Sequence, residues 1–320
     1  MSGYLAVISI GTNSTRVLLA DAHDGRPHVA VERSIGTRLG EGVGESGMLG
    51  EEPMERTLEA VRVHAGSVRG HYLRLYAIAT SAVRRATNRD AFSRAVERIT
   101  GVPLRVLSGE EEAAASFRGA LASLPPSSGT LTGAIDVGGG STEYAIGEGN
   151  LPQRSLSVEL GAVRLTEAVP ELGGQYGPIG EGPVERARAL AGERLAPLSA
   201  LRGAQRIALV GGSATSAASL IRAKRGRIER YELTRERLEA TFVRLCALGI
   251  EERRALEGVK AQRADILPAG VLILASALEC LKMESATVTA GDLLLGYLLQ
   301  QQDALAVARH QGGTGGWWNR

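Results

Sequence analysis

The chain has 320 residues, 44% of them hydrophobic and 22% charged, with a formal net charge of +2. That balance excludes a nucleic-acid protein held by bulk positive charge, and an aromatic content of 4% leaves few rings for stacking bases. No apolar run approaches the roughly 18 residues of a membrane span, so neither nucleic acid nor a membrane is an expected partner.

The opening "MSGYLAVISIG" has no basic segment before its apolar stretch, unlike a secretory signal. The two cysteines, Cys246 and Cys280, lack metal-ligand spacing and read as free thiols of a reducing compartment. A cytoplasmic location is the resulting expectation. Three of the 37 basic residues are lysines (Lys224, Lys260, Lys282), and the rest are arginine. Arginine suits bidentate phosphate recognition, although codon bias in a GC-rich genome explains the same skew.

In chain order, 4–10 and 15–20 read as a strand pair and 28–40 as a third strand, followed by a glycine-rich loop at 40–50. Helical spacing of apolar residues covers 51–70, a strand follows at 73–80, and a helix over 88–101 closes on Gly101. A strand at 103–108 precedes a helix of strong formers over 109–124. "PPSSGTLTG" (125–133) breaks the pattern and reads as a linker. Further helices are expected at 180–200, 214–224, 234–247 and 267–282, with a strand at 205–212. The expected division is 1–124, 125–306 and a disordered tail, 307–320.

Past the linker the opening unit recurs. "ISIGTNST" (8–15) falls on "IDVGGGST" (135–142), 127 positions later, so Ser9 stands where the second copy has Asp136. A repeated strand–turn–strand unit followed by helices predicts a duplicated α/β architecture with two domains facing a cleft. Gly11, Thr12, Asn13 and Ser14 form one turn; Gly138, Gly139, Gly140, Ser141 and Thr142 form the other. Such turns present backbone N–H groups to phosphate oxygens, though ordinary hairpins use the same residues.

The motifs "SIGTNST" (9–15), "TRLGEGVGESGML" (37–49), "ATSAVRRATN" (79–88), "LSGEEEA" (107–113), "DVGGGSTE" (136–143), "LGAVRLTE" (160–167), "VGGSATS" (210–216) and "RADILPAG" (263–270) occur in this order. Together they resemble the exopolyphosphatase / guanosine pentaphosphate phosphohydrolase (Ppx/GppA) family, in its short two-domain form. The resemblance implies duplicated actin-like ATPase (ribonuclease H-like) domains around a central cleft. It also implies Mg²⁺-dependent removal of terminal phosphate from inorganic polyphosphate, or of the 5′ γ-phosphate from pppGpp. A homodimer is among the assemblies to expect.

By that resemblance, Glu112 is the general base on the attacking water, and Arg84 steadies the phosphoryl group. Without it, the three acids Glu110–Glu112 read as ordinary helix-start residues and Arg84 as an exposed arginine. Asp136 before its glycines reads either as a turn cap or as an oxygen ligand to Mg²⁺; the resemblance adds Glu143 as the second carboxylate. Gly211, Gly212 and Ser213 look like a third loop lining the cleft.

Three departures from the family stand out: Ser9 replaces an acid, Ala114 replaces an arginine, and "TAGDLLLG" (289–296) replaces a more charged segment. All three read as loss of charge near the cleft, and Ser9 predicts a higher Mg²⁺ requirement or a preference for Mn²⁺. A non-hydrolytic paralogue that senses polyphosphate or (p)ppGpp, and an ATP-dependent small-molecule kinase of the same superfamily, are the competing readings.

Overall fold

The computed structural model describes residues 3–21 and 27–311. The first half contains β1 (Leu5–Ile10), β2 (Ser14–Asp21), β3 (His28–Gly36), α1 (Val43–Ser46), α2 (Glu51–Val68), β4 (Arg74–Ala79), α3 (Ser81–Arg85), α4 (Arg89–Thr100), β5 (Leu104–Val106) and α5 (Gly109–Ser123). The second contains β6 (Thr132–Val137), β7 (Thr142–Gly147), β8 (Arg154–Val158), α6 (Ala162–Ala168), α7 (Glu181–Leu195), β9 (Arg206–Val210), α8 (Gly211–Ile221), β10 (Arg230–Thr234), α9 (Arg235–Cys246), α10 (Ile250–Ala255), α11 (Leu267–Leu281), β11 (Ser285–Thr289) and α12 (Leu293–Gln311).

The first sheet has the order β3-β2-β1-β4-β5, and the second the order β10-β11-β9-β6-β7-β8. Reversed and stripped of edge strand β10, the second reproduces the first: an antiparallel three-strand meander, then two strands added in parallel on the far side of its first strand. The duplication expected from the repeated turn is thus a duplication of whole sheets. Its register is kept: Ser9 pairs with Arg16 on β2, and Asp136 pairs with Glu143 on β7, the same two positions shifted by 127.

Each sheet has its own core. Ile8, Val17, Val61 and Phe92 pack between the first sheet and α2 and α4. In the second half α11 is apolar all round and correspondingly buried along nearly its full length. The halves are joined by α5 and α12. Ala113, Phe117 and Ala120 of α5 pack on Ala134, Ala145, Ala208 and Val210 of the second sheet. Leu293, Leu294, Leu295 and Leu298 of α12 lie with Leu5, Val7 and Leu18 of the first.

The two helices cross at backbone distance. A Cβ on Gly296 would overlap the Ala115 carbonyl, and one on Gly119 would overlap the backbone of Asp292. On the other side of the cleft, Arg38 pairs with Asp265 at 2.6 Å and the Gly42 N–H donates to Glu167 at 3.2 Å.

Several boundaries differ from expectation. The third strand ends at Gly36, since residues 37–40 turn back to bond Asn13 and Thr12 carbonyls. The strand expected over 205–212 ends at Val210, and its two glycines begin α8. α12 carries helix to Gln311, so 307–311 is not a disordered tail, and 312–320 lies outside the described residues. Among the described residues no helix is long and apolar enough to cross a membrane.

The crossing makes a stability prediction. Gly296→Ala must push α12 off α5, costing about 1–3 kcal/mol or more. Urea denaturation should show a lowered midpoint, and an unchanged midpoint would mean the helices are not held this closely.

Candidate active site

The two turns are built alike. Gly11 N–H donates to the Ser14 carbonyl and Gly138 N–H to the Ser141 carbonyl, each at 3.0 Å. They also meet across the cleft: a Cβ on Gly139 would press on Thr12 and Asn13, and one on Gly140 on the hydroxyls of Thr12 and Ser81. Only glycine permits this approach. Two polar atoms there, Asn13 Oδ1 and the Ser81 hydroxyl, are buried without a partner. Buried polar atoms of this kind call for a ligand or water.

The cleft is lined by Gly11, Thr12, Asn13 and Ser14 from one wall and by Gly138, Gly139, Gly140 and Ser141 from the other, together with Glu112, Asp136, Glu143, Gly211 and Gly212. These expected residues therefore converge. Two do not turn their side chains into it. The Thr142 hydroxyl donates to the Leu160 carbonyl at 2.6 Å, and the Ser213 hydroxyl to the Val137 carbonyl at 2.8 Å. Both tie the loops to their own domain. Gly211 is needed twice: its φ is +80°, and a Cβ there would strike the Asp136 carboxylate.

The three consecutive glutamates have three different placements. Ser108 caps α5 and forms a reciprocal pair with Glu111, whose carboxylate accepts from Ser108 N–H at 2.8 Å while also meeting Arg105. Glu110 is exposed and accepts from the Ser108 hydroxyl. Glu112, one step further round the helix, is 5% exposed and points into the cleft. Its partner is Arg84, the last-turn arginine of α3, which also donates to the Leu107 carbonyl at 2.9 Å. Arg84 is thus placed on the proposed base.

Asp136 accepts from Ser116 at 2.7 Å and Glu143 from Ser157 at 2.8 Å. Among the described residues neither has a cationic partner in contact. Burial pushes Glu112 up to about 7 against the pull of Arg84. Burial, then the charge of Asp292, pushes Asp136 up to about 6. Glu143 is raised well above the ordinary range by burial and then by Glu112 and Asp136. Three carboxylates in one desolvated cleft resist ionising together.

A divalent cation fits this arrangement. Two facing carboxylates without a cation between them supply hard oxygen donors, although no group of three His, Cys, Asp or Glu converges among the described residues. Mg²⁺ commonly takes one or two carboxylates and completes its shell with water and phosphate oxygens.

Sequence reasoning passed over Arg16, Thr80, Arg263 and Asp292, all of which line the cleft or its extension. Burial and the neighbouring Arg16 lower Arg263 to about 10, and its guanidinium donates to the Ser14 hydroxyl at 3.2 Å. Asp292 is the one charged residue of 289–296, and it is placed at the cleft's extension. It is 7% exposed and bonds Arg16 at 2.5 Å.

Paired meanders of this topology, each turning a glycine loop into a shared cleft, make a duplicated α/β fold of two facing halves. Residues 18–303 match the profile of the Ppx/GppA phosphatase family, and the chain belongs to that family. Exopolyphosphatase 2 of Mycobacterium tuberculosis is 32% identical over 318 residues, covering 92% of this chain and 97% of that protein. The bifunctional 3-dehydroquinate synthase/phosphatase of Fusobacterium nucleatum is 26% identical over 313 residues, and the chain spans 46% of its length. The crystal structure of an exopolyphosphatase from Cytophaga hutchinsonii has a TM-score of 0.83 at 25% identity, covering 94% of this chain and 98% of that one. The Aquifex aeolicus Ppx/GppA family member has a TM-score of 0.77 at 28% identity, covering 94% and 98%.

The raised carboxylates make a prediction for the metal-free protein. Glu112 binds its proton more tightly folded than unfolded, so its contribution to stability is full below about pH 4.5 and is lost as pH rises towards about 7. Glu112→Gln removes that loss. In EDTA, the Tm of the variant relative to wild type should rise between about pH 5 and about pH 8. A gap that stays constant across this window would show that Glu112 is not desolvated.

Proposed function

We propose that this chain hydrolyses phosphoanhydride bonds, releasing terminal phosphate from inorganic polyphosphate. The observation that carries the reading is Glu112: a buried carboxylate, poised near neutral pH, facing two phosphate-sized turns and the Asp136–Glu143 pair. A base near the working pH is well matched to take a proton from water. Phosphoanhydride cleavage needs chiefly positioning and charge neutralisation from the protein.

The turn residues Gly11–Ser14 and Gly138–Ser141 would hold the oxygens of the terminal phosphoryl group. Asp136 and Glu143 would hold Mg²⁺ or Mn²⁺, which when bound neutralises phosphate oxygens and polarises the bond to be broken. Glu112 orients the water and takes its proton. Arg84 keeps the Glu112 carboxylate in one orientation.

The choice of polyphosphate over pppGpp has its own support. Beyond the turns the cleft continues past Ser14, Arg16, Arg263, Lys260 and Thr215. This extension offers the cations Arg16, Lys260 and Arg263 with hydroxyls, beside two acids, Glu32 and Asp292, and such donors suit an anion with several phosphoryl groups. No aromatic ring lines it among the described residues, so there is no ring to stack a guanine. Relatives named exopolyphosphatase point the same way.

Phosphate release from polyphosphate and from pppGpp, measured side by side with Mg²⁺ and with EDTA, tests the reading. Release from polyphosphate that EDTA abolishes is expected. Release from neither substrate would leave binding without turnover, and ADP formation from ATP with an added acceptor would point to a kinase. Glu112→Gln should lower kcat by about 10²-fold or more while polyphosphate still binds. Asp136→Asn should raise the Mg²⁺ concentration for half-maximal rate as well as lower the rate, and a variant with an unmoved Mg²⁺ curve would take Asp136 out of the metal site.

A further inference from the structure

The two walls of the cleft are copies with different charges. In the second, positions 136 and 143 are both acids facing one another across β6 and β7. In the first, the matching positions 9 and 16 are serine and arginine, directly opposite on β1 and β2. Residues so paired project from the same face of the sheet. An acid at position 9 would therefore lie beside the Arg16 guanidinium. Ser9, 4% exposed, gives it no counter-charge.

Arg16 finds that counter-charge on Asp292, 276 residues away, at 2.5 Å. Its other contact, Glu32 at 3.2 Å, is to a side chain 41% exposed. Asp292 is fixed in place. Its second oxygen accepts from the Leu294 N–H at 3.1 Å, and its backbone is wedged against Gly119 at the helix crossing. Both carboxylate oxygens are thus occupied by the protein. Arg16 lines the cleft with Asp136 and its extension with Asp292, and the charges of Arg16 and Asp292 act on Asp136 in opposite senses. Arg16 released from Asp292 would share the cleft with the buried Asp136.

We infer that Asp292 is a positioning residue that stands in for the acid missing at Ser9: it holds Arg16 off Asp136 and so keeps the Asp136–Glu143 pair open to a divalent cation. This rests on the metal-assisted reading above and adds a residue that the repeat does not contain. Carboxylates that orient a metal site without touching the metal typically change its affinity 10- to 100-fold.

The test is Mn²⁺ binding to the whole, phosphate-free chain, followed by the paramagnetic resonance signal of free Mn²⁺ rather than by activity. Asp292→Asn should weaken binding roughly tenfold or more. Adding Arg16→Gln to it removes the competitor and should restore affinity to near wild type. Adding Ser9→Asp instead gives Arg16 an acid on the facing strand and should do the same; this variant keeps the buried pair, and its thermal unfolding reports that it is folded. Unchanged binding in Asp292→Asn overturns the inference. So does a double variant with Arg16→Gln that stays as weak as Asp292→Asn, because Asp292 would then be a ligand itself. A Ser9→Asp/Asp292→Asn variant that folds but binds weakly overturns it too. Wild type that takes up no Mn²⁺ defeats the metal-assisted reading and the inference with it, a result distinct from the other three.

Discussion

The cleft depends on α5 and α12 passing each other with no side chain between them. Gly119 and Gly296 permit the contact, and it sets two acids from distant parts of the chain in one space. Glu112 enters on α5, which packs on the second sheet; Asp292 enters just before α12, which packs on the first. Hydrophobic burial supplies the driving force, since each helix covers the apolar face of a sheet. The polar groups are placed by that packing and must then be satisfied where they fall. Most are: Ser116 and Ser157 serve Asp136 and Glu143, and Arg84 serves Glu112. What stays unmatched is charge, with the Asp136–Glu143 pair left without a contacting cation.

That imbalance links the fold to the proposed chemistry. A cleft of desolvated acids repels a polyanion unless a cation or protons intervene. Under the proposed metal-assisted reading, a divalent ion would relieve that repulsion and make the site receptive to phosphate. Arg263 and Lys260 stand further along, where a chain would lie after its terminal group has entered the turns. Arg16 and Arg263 line both the cleft and its extension, and the extension also carries Glu32 and Asp292, so cations and acids are interleaved along it.

Much of this was legible in the sequence where the signal was local. The repeat of 8–15 at 135–142 announced the duplicated sheets, and the helix beginning near Gly109 placed Glu112 at a helix start. The capping pattern Ser108-x-x-Glu111 was also readable and separates Glu111 from Glu112, because a residue committed to the cap cannot also face the cleft. Long-range pairing was not legible. Arg16 and Asp292 are 276 residues apart, and nothing in "TAGDLLLG" says that its aspartate meets β2. Hydroxyl direction was equally hidden: Thr142 and Ser213 sit in glycine-rich motifs yet bond carbonyls behind the loops. Strand ends moved by a few residues because tertiary bonds to Asn13 and Thr12 decided them.

The two edges of the cleft are fastened very differently. At the helix crossing the halves touch through backbone and leucine side chains, with the Arg118–Asp303 ion pair beside them. Elsewhere they meet through polar contacts: Arg38 with Asp265, whose side chains are 41% and 18% exposed, and with the Gln262 carbonyl; Gly42 with Glu167; and Arg84 and Arg85 with Glu159. One side is held by close packing and the other by an ionic clasp. The clasp is ionic and reached by solvent, so its strength falls as salt is added, whereas the backbone contact at the crossing does not depend on charge. These polar contacts are therefore the ones that added salt weakens first.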